Sequence, residues 1–283
     1  MKTFQPITSS EVLSSPLVTT KGQQWAIDNL TYLNKPMKLF GSSQKVEKGS
    51  DKFTTYILYL APADLVSSKT LCSGAVSSGC YGPCLYQSGQ LGMTTGTNAM
   101  FKRTILMLMR PEWFETTLLS EIDKAENKAK KDNIPALFRL NGTSDIDFSY
   151  ILKQRPHSMA YDYTKVLSRI RKNTLPNYDL TFSGSMYSEQ SKNALKKAVQ
   201  RNHRIAIAFN TKESKKDTFN IPTHLKSFDD TDLRHLDAAG TIGALKRKGS
   251  SISERTIENS KTNSFFVTQS NLEQFNNIIA VSN

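Results

Sequence analysis

Ile134-Pro-Ala-Leu-Phe-Arg-Leu-Asn-Gly-Thr-Ser-Asp145 is a short apolar strand that runs straight into a polar turn, and the segments on either side repeat its logic. Before it lies an amphipathic helix. Phe114, Leu118, Ile122, Ala125 and Ala129 form one apolar stripe, while Glu121, Lys124, Glu126, Lys128 and Lys130 take the other face, and Asp132-Asn133 closes the helix. After it, Phe148–Lys153 reads as a short helix. Ser158-Met-Ala-Tyr161 reads as a strand ending in Asp162-Tyr-Thr-Lys165. Tyr178-Asp-Leu-Thr-Phe182 is another, ending in Ser183-Gly-Ser185. A helix carrying Ala194, Leu195, Ala198 and Val199 on one face leads to the most apolar strand, Arg204–Phe209. Thr241–Leu245 follows, and Ser264–Thr268 closes the set. Upstream, Phe53–Leu60 is rich in β-branched and aromatic residues and also reads as a buried strand.

Apolar strands alternating with amphipathic helices predict an α/β protein with a mostly parallel sheet. Six or more such units point to a (β/α) barrel or partial barrel with an N-terminal extension, a doubly wound open sheet being the alternative. The expected organisation is an N-terminal layer at 1–66, a barrel-like core at 67–249, and a tail at 250–283 with a last strand and a short helix around Leu272–Ile279. Residues 67–96 stand apart: rich in Ser, Gly and Cys, poor in charge and without a period, they predict an ordered irregular loop.

In either architecture ligands meet the carboxyl ends of the strands, which makes the polar residues after each strand the candidate site. Asp145, Asp162, Asn141 and Lys165 are the catalytic candidates, because paired carboxylates with a nearby amine can do nucleophilic and acid–base work. Arg139, Tyr163, Ser183, Lys246 and Lys248 are the substrate-binding candidates, with cations for phosphate. Asn210, Lys212 and Glu213 follow the most apolar strand on the same logic. The same residue types also serve plain architecture. Asn141-Gly142 makes a turn, Ser144 or Asp145 can cap the next helix, and Asp162 can pair with Lys165.

Charge narrows the partners. The 283 residues carry 37 Lys plus Arg against 25 Asp plus Glu, a net +12, which favours a polyanion, nucleic acid above all. Basic residues cluster at Arg169-Ile-Arg171-Lys172, at Lys196-Lys197 with Arg201, His203 and Arg204, and at Lys246-Arg247-Lys248, interleaved with Tyr161, Tyr163, Tyr178 and Tyr187 that could stack bases. No stretch approaches the ~20 apolar residues of a membrane span. The first residues lack the apolar core of a signal peptide, so the expected setting is cytoplasmic, without a membrane partner. All three cysteines fall in one run, Cys72-x7-Cys80-x3-Cys84. That spacing suggests a metal or [4Fe–4S] site with one open iron, and equally suits three thiols packed as small hydrophobes.

In order, Cys72-Ser-Gly-Ala-Val-Ser-Ser-Gly-Cys80-Tyr-Gly-Pro-Cys84-Leu-Tyr, Phe138-Arg-Leu-Asn-Gly-Thr-Ser-Asp145-Ile, Tyr161-Asp-Tyr-Thr-Lys165, Leu180-Thr-Phe-Ser183 and Asp232-Leu-Arg-His-Leu-Asp237 resemble a group of largely uncharacterised bacteriophage proteins. The resemblance covers residues 67–249. That group looks like a barrel family distantly akin to radical-S-adenosylmethionine enzymes and to the transglycosylases that place deazaguanine bases in nucleic acid. The Cys-x3-Cys-x2-Cys motif of the first and the Cys-x-Cys-x2-Cys…His site of the second are both absent here. The resemblance implies a phage nucleic-acid-binding protein of the infected host's cytoplasm that modifies nucleic acid at its strand ends. The alternative is a non-catalytic binding factor for nucleic acid or for a phage or host protein.

Overall fold

The computed structural model describes residues 3–41, 52–211, 221–248 and 264–280. Its centre is an eight-stranded, mostly parallel sheet in the order β1-β2-β3-β4-β5-β6-β8-β7. The strands are β1 (Phe40–Gly41), β2 (Thr54–Leu58), β3 (Ala136–Arg139), β4 (Met159–Thr164), β5 (Tyr178–Ser183), β6 (Ile205–Phe209), β7 (Lys226–Ser227) and β8 (Ile242–Lys246). Strand β1 runs antiparallel to β2, with Phe40 opposite Leu58, while the pairs β2–β3, β3–β4, β5–β6, β6–β8 and β7–β8 are parallel. Among the described residues, consecutive strands from β2 to β6 are neighbours and the order does not reverse between them, as it would at the switch point of a doubly wound sheet. Among the described residues the sheet is not closed, and the barrel expectation is met only as far as a mostly parallel α/β sheet. No described helix is long and apolar enough to cross a membrane.

The chain forms two compact units, each assembled from separated pieces: Met1–Cys72 with Gly89–Ala160 and Leu175–Tyr178, and Ser73–Ser88 with Tyr161–Thr174 and Asp179–Asn283. The first unit holds α1 (Ser9–Ser14), α2 (Thr20–Asp28), α3 (Leu30–Leu33), α4 (Thr94–Met109), α5 (Pro111–Asp132) and α6 (Ser149–Lys153). Helix α5 is the amphipathic helix of the sequence. Pro111 opens it, Phe114, Leu118, Ile122 and Ala125 are buried, and Asn133 ends it in the left-handed conformation at φ 54°. Phe40, Tyr56 and Phe138 pack their rings across β1, β2 and β3.

The second unit holds α7 (Leu167–Lys172), α8 (Glu189–Gln200) and α9 (Leu272–Ile279). Its core joins Phe182, Ile205, Ile207, Phe209 and Ala244 from the strands to Leu195, Ala198 and Val199 of α8 and Phe275 of α9. Two readings shift here. Strand β4 continues through Asp162-Tyr163-Thr164, which the sequence suggested as a loop. Ser264–Thr268 is not a strand; only Val267 bridges to Phe209.

A fully buried lysine ties α4 to the N-terminal helices. Lys102 Nζ donates to the carbonyls of Tyr32 at 2.5 Å and Lys35 at 2.6 Å, and lies 4.4 Å over the Tyr32 ring. It thereby places a cation at the C-terminal end of α3, where the helix dipole favours positive charge. Burial, then like charge from Lys35 and Arg103, pushes its pKa from 10.5 down to about 8. Between those values the unfolded chain holds a proton that the folded chain has released. The cost of the charged form is therefore fully present below about pH 8, and stability rises from there toward 10.5. In Lys102→Met that rise should disappear, read as urea midpoints of variant and parent at about pH 7.5 and about pH 10.

Candidate functional site

In the first unit the strand-end loop after β3 is built around Asn141, which is buried. Its Oδ1 accepts from the Ile146 N–H at 2.8 Å and from the Ser144 hydroxyl at 2.9 Å, while Nδ2 donates to the Ile146 carbonyl at 2.9 Å and toward Tyr178 Oη at 3.4 Å. Gly142 donates its N–H to the Leu58 carbonyl. A Cβ there would sit 2.5 Å from the Tyr59 ring, so only glycine lets the backbone approach so closely. The Thr143 hydroxyl donates to the Leu60 carbonyl at 2.5 Å. The Asp145 N–H donates to the Leu71 carbonyl at 2.8 Å.

Asp145 is thus a partly exposed carboxylate on a pinned loop. The N-cap of the next helix is Phe148, which makes no side-chain cap, and Asp147 just before it accepts from the Ser149 N–H at 3.0 Å. Arg139 is the last residue of β3 and is partly buried, opposite Ile57. Cys72 belongs to this loop too. It bridges to Asp145, its Sγ donates to the Thr143 carbonyl at 3.6 Å, and it accepts from the Ala63 N–H at 3.4 Å.

In the second unit alternation along β4 puts Asp162 on one face and Tyr161 and Tyr163 on the other. Asp162 is only 1% exposed. The Tyr163 hydroxyl donates to Asp232 Oδ1 at 2.9 Å, an acid the spacing did not single out as a site residue. Lys165 Nζ donates to Ser183 Oγ at 2.8 Å and stands 4.5 Å from the Phe265 ring centre. The cysteine loop packs directly on this pair, since a Cβ on Gly74 would lie 2.6 Å from Lys165 Cβ.

That loop is held by hydroxyls: Ser185 Oγ donates to the Ser78 carbonyl at 2.6 Å and Ser188 Oγ to the Ser77 carbonyl at 2.7 Å. Gly79, at φ 67°, lies against the Tyr187 ring. Lys246 ends β8 with an exposed side chain, while Lys248 pairs with Asp229 at 3.0 Å and the buried Arg247 donates to Asn210 Oδ1 at 3.0 Å. Lys212 and Glu213 lie outside the described residues.

The three cysteines are divided between the two units. Cys72 belongs to the first and is engaged with backbone, while Cys80 and Cys84 are half-buried thiols of the second. Among the described residues no group of three or more His, Cys, Asp or Glu side chains could hold a metal ion.

The second unit also carries a cationic groove of about 540 Å³ between α7 and α8. Leu167 and Ala194 supply its apolar part, and Arg171, Lys197 and Arg201 stand along it. None of these three cations has an ion-pair partner among the described residues. Elsewhere in this unit Lys192 pairs with Glu189, Arg204 with Asp179, and Lys226 with Asp237. Burial, with help from the Arg201 charge, holds the His203 imidazole below its ordinary pKa. The sequence showed these cations as two separate clusters and missed the groove residues Gln190 and Asn193.

A family model described as gene product 88 matches residues 31–263, a span that extends past the 67–249 stretch on both sides. No curated protein and no solved structure matches the chain.

The loop geometry sets a test for Asn141. Asn141→Ala strips the Ile146 N–H and C=O of their partners and should cost about 2–4 kcal/mol. Urea unfolding reads this directly; a stability equal to the parent's would return Asn141 to a purely catalytic reading.

Proposed function

The chain belongs to the gene product 88 family, a phage-type family, and we propose that within it this protein binds nucleic acid. One observation carries the reading. Arg171, Lys197 and Arg201 line one groove and, among the described residues, none has an acid to neutralise it. A paired lysine must give up its carboxylate before it holds a phosphate. An unpaired one gives up only mobile counterions, whose release drives association. The net charge of +12 supplies the long-range field that steers a polyanion toward such a surface.

A second reading, modification at the strand ends, is favoured by the 2.8 Å contact of Lys165 Nζ with Ser183 Oγ. A lysine beside a serine hydroxyl can serve as the base that activates it as a nucleophile. In that contact Nζ is the donor and Oγ the acceptor, the reverse of the arrangement in which an amine takes up the hydroxyl proton. Binding is therefore the primary function and catalysis the secondary one. Asp145 and Asp162 remain candidates for acid–base work under the second reading alone.

Binding to labelled oligonucleotides should weaken linearly in log K against log salt. Each of Arg171→Ala, Lys197→Ala and Arg201→Ala should flatten the slope by about 0.7–0.9. Anisotropy titrations at several salt concentrations check this. A protein that binds no oligonucleotide even at low salt is not a nucleic-acid-binding protein.

A further inference from the structure

We propose that the groove between α7 and α8 takes up an unpaired nucleotide, so that the protein recognises single-stranded and not duplex nucleic acid. This rests on the nucleic-acid reading above and names the form of the ligand.

The groove has more in it than charge. On α8 its residues fall at 190, 193, 194, 197 and 201, a single helical stripe, opposite Leu167 and Arg171 of α7. The stripe is ordered along the axis. Gln190 and Asn193 lie toward the start of α8, Ala194 lies next to them, and Lys197 and Arg201 lie at its end. Eleven residues at about 1.5 Å each spread this order over roughly 16 Å. Amides, an apolar patch and cations therefore follow one another along one recess.

Those three chemistries match the three parts of an unpaired nucleotide. A flat base face needs an apolar surface, and Leu167 and Ala194, both partly exposed, provide it. The base edge needs groups that both donate and accept, and carboxamides do both. Gln190 and Asn193 are exposed, and neither amide makes a side-chain hydrogen bond among the described residues. The phosphates need cations, and Arg171, Lys197 and Arg201 stand without partners.

Shape decides against a duplex. Reading a double helix takes a convex element, a helix or a ribbon that enters the major groove. Here the feature is a recess, and a recess receives what protrudes. A base in a duplex is stacked and hidden, whereas a single strand offers its bases to be splayed out. The volume of about 540 Å³ lies within the range of about 300–1,000 Å³ typical of sites for small ligands, which suits a nucleotide or two. The groove contains no carboxylate, so an acidic backbone enters without like-charge repulsion.

The test uses the full chain and fluorescein-labelled oligonucleotides of mixed sequence, as single-stranded DNA, single-stranded RNA and the corresponding blunt DNA duplex. The single strands should bind at least about tenfold tighter than the duplex, the scale of one base contact. Gln190→Ala with Asn193→Ala should weaken single-strand binding by about tenfold and leave the salt slope unchanged, because the phosphate contacts remain. Ala194→Leu fills the apolar patch without touching charge and should do the same, with thermal melts confirming the fold of each variant. Salt-dependent binding that is equal for duplex and single strand, or unchanged in both variants, overturns the inference and leaves the nucleic-acid function standing. Absence of binding to any of the three probes overturns both.

Discussion

Backbone buried outside helices and strands must still find hydrogen-bond partners, because water cannot reach it. Much of this protein follows from how it meets that demand. The stretch from 59 to 93 has little regular structure, yet Leu60, Ala61, Ala63, Val66 and Ala75 are buried in it. Several of its carbonyls and amides are met by short polar side chains from strand ends and helices. Thr143 serves the Leu60 carbonyl, Ser185 that of Ser78, and Ser188 that of Ser77, while the Thr104 hydroxyl accepts from the Ala61 N–H. The Ser- and Thr-rich composition of these segments is first a hydrogen-bond inventory for irregular buried chain.

That inventory changes the weight of the strand-end residues. A polar group already donating and accepting inside a loop has less left for a substrate. Asn141 uses both ends of its amide within its own loop, and Ser144 is bonded to it. Lys165 differs, because its contact runs between two strand ends, from the residue after β4 to the last residue of β5. The Tyr163–Asp232 bond likewise joins β4 to a segment far along the chain. These long-range polar contacts, and not the loop-internal ones, are where the second unit's sheet could be coupled to chemistry.

Local pattern made some of this legible and hid the rest for physical reasons. Helix α5 could be read almost residue by residue, because its stripe is unbroken and Asn133 gives a left-handed stop. Strand β4 was read too short, because Asp162 and Tyr163 are polar. What keeps them in the sheet is burial and a partner 69 residues away, neither visible in a local window. The two-residue strands β1 and β7 exist only through pairing. The basic clusters on α7 and α8 were visible as charge runs, but their convergence on one groove depends on how two helices pack. Gln190 and Asn193 carry no charge and belong to no motif, so nothing in the sequence drew attention to them.

For an anionic ligand, electrostatics favours the helices of the second unit over the strand ends. Lys248, which directly follows a strand, already holds Asp229 at 3.0 Å. To grip a phosphate it would have to leave that carboxylate uncompensated, and the exchange returns little net energy. Arg247 is buried and committed to Asn210, so its charge is held by the fold. Arg201 faces the opposite situation. It stands exposed beside a half-buried His203 whose pKa is held down by burial and by that same positive charge. A phosphate arriving there would meet a guanidinium that no described carboxylate already neutralises. An anion gains most where the protein has left positive charge unbalanced, and among the clusters of this unit the groove between α7 and α8 meets that condition most fully.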